Sequence, residues 1–279
     1  MKRVIKLLIY YLAYTFGIGW LFYGGYMIAH RTLEMPPVTD PAFFNLSVWA
    51  QLLATLAVGI HLLVWGYVRS DDLKLNFPNA GKVMLVAAVF IVGMGFWTNY
   101  LTELTRLPDN LKAVFEMSMN HPAGIVSIVF LAPVVEELLL RGAIQGHLMR
   151  IWKNPAWAIV LSSLIFGLMH GNPVQIFFAF LTGVALGWMY CRTGSLLPGM
   201  LMHFINNGSS VLLYHLSGGS DETMAESLGT YGAAGLALAG VALTVLCVWL
   251  VKARLVPRQM TWHAAAGTEK NKEENELTL

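Results

Sequence analysis

The chain has 279 residues and a formal net charge of +2; hydrophobic residues make up 56% of it and charged residues only 12%. Soluble globular proteins carry about 25% charged residues, so this composition is typical of a membrane protein. The small net charge gives no indication of a nucleic-acid partner. The two cysteines, Cys191 and Cys247, lie far apart and show neither a disulfide framework nor a zinc-knuckle spacing.

Eight apolar segments approach the roughly 20 residues that a membrane-spanning helix needs. They lie near residues 5–29, 45–68, 83–101, 123–145, 156–171, 174–191, 196–216 and 230–251. Lipid cannot satisfy free backbone groups, so we expect all eight to be helices. The sequence therefore predicts an all-α, integral multi-pass membrane protein whose bilayer-embedded helices surround a buried polar active-site cavity.

The distribution of basic residues predicts the orientation of these spans. If the N-terminus lies in the cytoplasm, the inside segments hold 14 Lys and Arg residues and the outside segments hold 3, with Arg141 left within a span. Cytoplasmic loops carry an excess of Lys and Arg. We therefore expect both termini in the cytoplasm.

Three segments between or beyond the spans differ from them in composition. Residues 30–44 contain three prolines and are expected to form an external loop. Residues 102–122 repeat leucine or phenylalanine near helical spacing, which favours a short amphipathic surface helix. Residues 1–251 are thus predicted to form the membrane domain, and the polar residues 252–279 a disordered cytoplasmic tail.

The fourth apolar segment carries charge where a bilayer makes it costly. Glu136, Glu137 and Arg141 lie in the run IVSIVFLAPVVEELLLRGAI, and a charge near the membrane centre costs about 2.5–3.5 kcal/mol. Glu137 and Arg141 are four residues apart, the spacing of a helical ion pair. Glu136 points about 100° away and is free to face a cavity, so the two carboxyls can take different roles. The alternative is a buried polar network that only pins helices together.

Two later segments carry further polar groups, His170 in FGLMH and His203 with Asn207 in HFINN. A lone histidine on an apolar helix is more often a hydrogen-bonded core residue than a catalyst. His203 and Asn207 are four residues apart and could donate together to a developing oxyanion. The alternative for that pair is an interhelical polar clamp.

Together these groups indicate hydrolysis. A glutamate and a histidine can take a proton from water while His203 and Asn207 stabilise the intermediate. There is no GxSxG elbow and no HExxH motif. This mechanism needs no cofactor, but Glu136, His170 and His203 could also bind zinc with one open position, and both possibilities stay open.

Three motifs occur in order on separate apolar segments: EELLLR (136–141), FGLMH (166–170) and HFINN (203–207). They match EExxxR, FxxxH and HxxxN, and the chain here resembles the Abi/CPBP family of intramembrane proteases, which includes the CAAX prenyl endopeptidases. The resemblance covers residues 120–215. It implies an eight-span helical fold with a cytoplasm-facing cavity, and cleavage of a peptide bond within or beside the membrane.

The resemblance also implies roles for the matching residues. Glu136 would be the general base together with His170, and His203 and Asn207 would bind the oxyanion. Glu137 and Arg141 would support them. The family has been described both as metalloproteases and as glutamate proteases, so metal dependence is left open by the resemblance.

The expected substrate is a membrane-associated peptide or protein, either a CAAX-type prenylated protein or a leader or membrane peptide. The rival interpretation is a non-enzymatic protein: a polytopic scaffold, an immunity-type protein or a transporter. Transporters usually show discontinuous helices in paired halves, and the sequence shows no such pairing.

The depths of the three motifs do not agree at first. At 1.5 Å per residue, Glu136 lies about 14 Å from a span end near residue 145, and His203 about 10 Å from a start near residue 196. His170 lies about 22 Å from a start at residue 156. We therefore expect the fifth span to start nearer Val160, or to tilt, so that His170 reaches the other groups.

Overall fold

The computed structural model describes residues 1–152, 154–220, 222–257 and 262. Within these ranges the regular elements are all helical, which confirms the all-α prediction. A 3₁₀ turn at Ser70–Leu73 precedes the third helix. The nine helices of the described part are α1 Lys2–His30, α2 Pro41–Val64, α3 Ala80–Thr105, α4 Lys112–Met119, α5 Pro122–Ile151, α6 Pro155–Met169, α7 Pro173–Thr193, α8 Leu197–Leu216 and α9 Met224–Leu255.

Six of these helices are long and apolar enough to cross a membrane: α1, α2, α3, α5, α7 and α9. The expected count of eight is therefore not confirmed. The helix α6 has 15 residues, which extend for only about 22 Å and fall short of a hydrocarbon core of about 30 Å. The helix α8 has 20 residues, and the polar groups of HFINN interrupt its apolar sequence.

The helix α5 is the centre of the bundle. It continues to Ile151, so the predicted end near residue 145 was wrong by about one and a half turns. Two stretches of α5 have π-helical geometry, Ser127–Leu131 and Leu138–Gln145. Such widened turns inside α-helices are frequent at functional sites. Glu136 and Glu137 lie on the short α-helical segment between them.

Close helix crossings surround α5. Residues 137–150 of this helix are all buried, because α2, α6, α7 and α8 pack against it. Glycines permit several of these approaches: a Cβ on Gly59 of α2 would meet Val135 at 2.9 Å, and one on Gly187 of α7 would meet Gln145 at 2.5 Å. Small residues at such positions let membrane helices pack closely.

The connections between helices alternate between two sides of the bundle. On the near side, which carries residue 1, the Arg3 guanidinium donates to the Tyr67 carbonyl at 3.1 Å, and the Leu196 amide donates to the Asp72 carbonyl at 2.7 Å. On the far side, Glu103 accepts a hydrogen bond from the backbone amide of Met224. The α3–α4 and α6–α7 connections also meet on the far side.

The segments outside the spans follow the sequence in part. Residues 31–40 form the expected connection between α1 and α2, and α4 is the expected short amphipathic helix, although Leu104 belongs to α3. Val251–Leu255 forms a π-helical turn, and Trp262 is buried. The rest of the expected disordered tail, residues 258–261 and 263–279, lies outside the described residues.

Candidate active site

The two adjacent glutamates of α5 have different surroundings. The Glu137 side chain is 1% exposed, whereas that of Glu136 is 25% exposed. Successive residues of a helix point about 100° apart, so Glu137 faces the core and Glu136 lies at its edge. Glu136 is thus the carboxylate that water and substrate can approach.

Arg141 neutralises the buried glutamate. Its Nη1 donates to Glu137 Oε1 at 2.9 Å, and its Nη2 donates to the Gly183 carbonyl of α7 at 3.0 Å. The guanidinium also lies over the Phe166 ring of α6, 4.7 Å from the centroid. These contacts let a fully buried cation stay paired, and they connect α5 to both helices of the α6–α7 hairpin.

His203 of α8 lies between the two glutamates. Its Nδ1 is 3.3 Å from Glu137 Oε1, and its Nε2 is 3.7 Å from Glu136 Oε2. A proton on Nδ1 that is donated to Glu137 sets the orientation of the ring and turns Nε2 toward Glu136. The imidazole is 2% exposed, so the site is held by charged and hydrogen-bonded partners rather than by solvent.

His170 ends α6 and faces the same aromatic ring as His203. Its Nδ1 is 2.8 Å from the Phe166 carbonyl. A carbonyl can only accept, so Nδ1 carries the proton, and in the neutral imidazole Nε2 keeps its lone pair. The Phe166 ring meets the His170 ring edge-on at 5.0 Å and the His203 ring at 5.4 Å. The two imidazoles therefore contact the same phenyl ring.

Asn207 lies one turn after His203 on α8. Its Nδ2 donates to the Ile128 carbonyl in the first π-helical stretch of α5 at 2.9 Å, and its Oδ1 accepts from Asn206 at 3.2 Å. A primary amide has two N–H donors, so one donor of Asn207 is used for positioning and a second remains.

The structure brings the motifs to one depth for a reason that the sequence did not indicate. Glu136 lies about 22 Å along α5 from Ile151, and His170 lies about 22 Å along α6 from Pro155. The helix α8 begins deeper: a Cβ on Gly142 would lie 3.2 Å from Leu196. The expectation of a fifth span starting nearer Val160 was wrong, because α6 starts at Pro155; the misplaced boundary was the end of α5.

A metal site is not preformed here. Among the described residues, no group of three or more His, Cys, Asp or Glu side chains is placed to hold a metal ion. Glu136 and His203 approach each other, whereas His170 contacts Phe166 and its backbone. The trio suggested as zinc ligands is therefore not arranged as a ligand set among the described residues.

The expected active-site cavity is not among three cavities of the described structure. One of about 380 Å³ lies between α1 and α2, one of about 660 Å³ lies beside the start of α6, and one of about 550 Å³ lies near His121 and Tyr214 on the far side. The candidate residues line none of these three. Four of them form a packed polar cluster instead: Glu136, Glu137, Arg141 and His203.

Some residues of the site were not found from the sequence. Gly199 of α8 lies against Glu137, where a Cβ would be 3.0 Å from Oε2, and Gly183 gives its carbonyl to Arg141. Tyr11 of α1 lies within electrostatic range of Glu136. Glycines in apolar helices are a signal of close approach, but the sequence does not say what approaches them.

The chain is similar to known membrane peptidases in the region of these motifs. Residues 119–209 match the family described as "Type II CAAX prenyl endopeptidase Rce1-like", and this range contains all three motifs. A Bacillus subtilis (strain 168) protein named "Putative membrane peptidase YdiL" is 25% identical over 185 residues, which cover 63% of this chain and 75% of that protein. No solved structure matches significantly.

Both matches support the resemblance of the chain to the Abi/CPBP family. They support a hydrolase of the protease type, and the apolar helices indicate an integral multi-pass membrane protein. The enzyme interpretation is thereby confirmed over the non-enzymatic alternatives. The family-model match, residues 119–209, runs from the end of α4 into α8, so it covers the polar cluster but not α1, α2 or α9.

Proposed function

We propose that this Abi/CPBP protein is an endopeptidase that uses a water molecule activated by Glu136 and His170. The observation that carries the proposal is the contrast between two neighbouring carboxylates, one sealed against Arg141 and one left partly open beside His203. A carboxylate at the edge of a buried polar cluster has the reach and the access that a general base needs.

In this proposal Glu136 takes a proton from water as the water oxygen attacks the carbonyl carbon of the peptide bond. His170 assists by accepting a hydrogen bond from the same water at Nε2, because its Nδ1–H is already bonded to the Phe166 carbonyl. The proton then passes to the leaving amine nitrogen as the C–N bond breaks. Protons and electron pairs balance without any further reactant.

The negative charge on the carbonyl oxygen needs donors. Asn207 supplies its second N–H, since its first is held by the Ile128 carbonyl. His203 supplies Nε2–H when both of its ring nitrogens carry protons, with Nδ1 held by Glu137. Donors that are positioned before the reaction are worth about 3–4 kcal/mol each in hydrolases.

Glu137 and Arg141 act through His203 rather than on the substrate. Arg141 holds Glu137 in place at 2.9 Å, and Glu137 orients the imidazole at 3.3 Å. These steps need no metal, and a cleavage assay with and without a strong chelator tests whether zinc takes part.

The substrate that we propose is a membrane-associated peptide or protein. The matched family is described as a prenyl endopeptidase family, which supports a CAAX-type prenylated C-terminus. The relative YdiL is named only as a membrane peptidase, which supports a leader peptide or another membrane peptide equally. Both classes bring a peptide bond to a site inside the bilayer.

The experiment compares purified protein in liposomes on matched peptides with and without a prenyl group. We expect Asn207→Ala to lower the cleavage rate on the order of 100-fold or more, because it removes an oxyanion donor. Ser210→Ala is the control, since that exposed hydroxyl lies one turn further along α8 and donates to the Asn206 carbonyl of its own helix. Equal rates for the two variants would contradict the oxyanion role.

A further inference from the structure

The connection between α6 and α7 is short and carries His170. The helix α6 ends at Met169 and α7 begins at Pro173. Gly171 has a left-handed backbone, with φ of 63°, which glycine adopts without strain. Asn172 is the N-cap of α7. Only Gly171 separates His170 from Asn172 along the chain.

The Asn172 side chain does not do what an N-cap asparagine usually does. Such a side chain normally accepts a hydrogen bond from an amide in the first turn of its own helix. Asn154 does this at the start of α6, where its Oδ1 accepts from the Ala156 amide at 2.9 Å. Asn172 makes no capping bond to α7, although it is completely buried.

Asn172 is used instead to hold the α3–α4 loop, residues 106–111. Its Nδ2 donates to Asp109 Oδ1 at 2.8 Å, and its Oδ1 accepts from the Asn110 amide at 3.0 Å. The Val174 amide adds a bond to the Pro108 carbonyl at 3.3 Å. Three hydrogen bonds thus fasten the turn that bears His170 to a loop outside the segment that matches the family.

We propose that Asp109 and Asn172 are positioning residues for His170, an inference that rests on the proposed role of His170 as a base. The Nδ1 bond to Phe166 fixes the ring relative to α6, and the Asp109–Asn172 pair fixes the turn itself. A misplacement of about 1 Å at a reacting group can cost on the order of 100-fold in rate. The Asn172 side chain holds the α3–α4 loop instead of capping α7, which supports a positioning role for this residue.

The first test is steady-state cleavage by full-length Asn172→Ala and Asp109→Ala proteins. We expect kcat to fall on the order of 10- to 100-fold with little change in KM, because the base is displaced while substrate binding is untouched. Asp109→Asn should keep most of the rate, since its amide oxygen can still accept from Asn172. Asn154→Ala removes a matched N-cap from α6 and should leave kcat unchanged.

A double-mutant cycle with His170→Ala separates positioning from general damage. Asn172→Ala should lower the rate of the wild-type enzyme but not the residual single-turnover rate of His170→Ala. The same fold loss in both backgrounds would overturn the proposal, as would a wild-type kcat for Asn172→Ala. Full activity of His170→Ala would instead remove the base assigned above, so the two failures are distinguishable.

Discussion

At the scale of single residues, environment rather than identity distinguishes the two adjacent glutamates. Glu137 is buried, and its carboxylate pairs with Arg141 and contacts His203. Glu136 differs by one position along α5 and keeps a quarter of its side chain exposed. An acidic pair in which one member is structural and the other accessible is the arrangement from which separate roles arise.

The buried ion pair gives a stability prediction. Arg141→Met should destabilise the protein by about 3–5 kcal/mol, because it leaves the Glu137 charge buried without its main partner. The double variant Glu137→Gln/Arg141→Met should recover part of that loss, since neither charge then remains. Thermal unfolding in detergent measures both. Equal midpoints for the single and double variants would contradict the pairing account.

At this scale the sequence was informative about chemistry and less so about contacts. The spacing of Glu137 and Arg141 predicted their ion pair, and the structure places it at 2.9 Å. The position of His203 between both glutamates was not predictable, because it depends on how α8 crosses α5. The roles of Glu136, His170 and Asn207 stay predictions until cleavage is measured.

At the scale of elements, helix crossings decide where the motifs meet. The helices α3 and α9 form the most extensive contact of the bundle at glycines, where a Cβ on Gly240 would lie 2.6 Å from the Gly93 carbonyl and 2.8 Å from Phe96. Gly235 lies on the same helix with nothing within 4 Å of its added Cβ. Gly235 is therefore the control position for Gly240, because an added methyl group is crowded at Gly240 and free at Gly235.

Gly240→Ala should lower the thermal midpoint, because overpacking of a tight contact typically costs about 1–3 kcal/mol. Gly235→Ala should leave the midpoint unchanged or raise it, since alanine is the better helix former. Thermal unfolding of both purified variants in one detergent is the measurement. A loss of similar size in both would show that the α3–α9 crossing is looser than described.

The near-side turn Ser70–Leu73 contains a second testable element, the buried Asp72. Burial raises the pKa of the Asp72 carboxyl above its ordinary value of 3.8, against the opposing charge of Arg150. The folded state therefore favours the protonated acid, so this group's contribution to stability is present below 3.8 and is lost as the pH rises through the raised pKa.

Asp72→Asn should remove that loss. The thermal midpoint of the variant minus that of wild type should therefore increase as the pH rises from about 4. Asp71→Asn is the control with the opposite sign: the Lys74 ammonium lowers the pKa of the exposed Asp71 carboxyl, and this contribution is lost as the pH falls. Thermal midpoints across a pH series measure both differences. A pH-independent difference for Asp72→Asn would contradict the account.

The elements also show where sequence reasoning failed. Apolar length located most helices, but it ended α5 near residue 145, because the near-side residues of that helix include His147 and Arg150 and resemble an interface. Both side chains are in fact buried. The π-helical stretches of α5 have no sequence signature of their own. The fifth segment, residues 156–171, was predicted at nearly its observed length but was counted as a full membrane span.

At the scale of the whole molecule, the basic residues predict an orientation that the fold does not test. Ser70 lies on the near side and Ser220 on the far side, and both are exposed. The native cysteines Cys191 and Cys247 are buried. In intact cells we expect a membrane-impermeant maleimide to label Ser220→Cys, and to label Ser70→Cys only after permeabilisation. The reverse pattern would invert the predicted topology.

The all-α membrane class and the family were predictable from composition and three short motifs. The number of spans was not, because α6 and α8 border a polar site and do not need the length or hydropathy of a lipid-facing helix. The polar cluster proposed as the active site lies where these two atypical helices meet α5. The departure from a regular eight-span bundle is thus located at the proposed active site.

The most direct test of the account is cleavage of a membrane-anchored peptide by the purified protein in liposomes, with and without a strong chelator. We expect wild type to cleave in both conditions, Glu136→Gln to be inactive, and Glu116→Gln, which changes a partly exposed carboxylate on α4, to remain active. Cleavage by Glu136→Gln at the wild-type rate would contradict the central claim that Glu136 is the base.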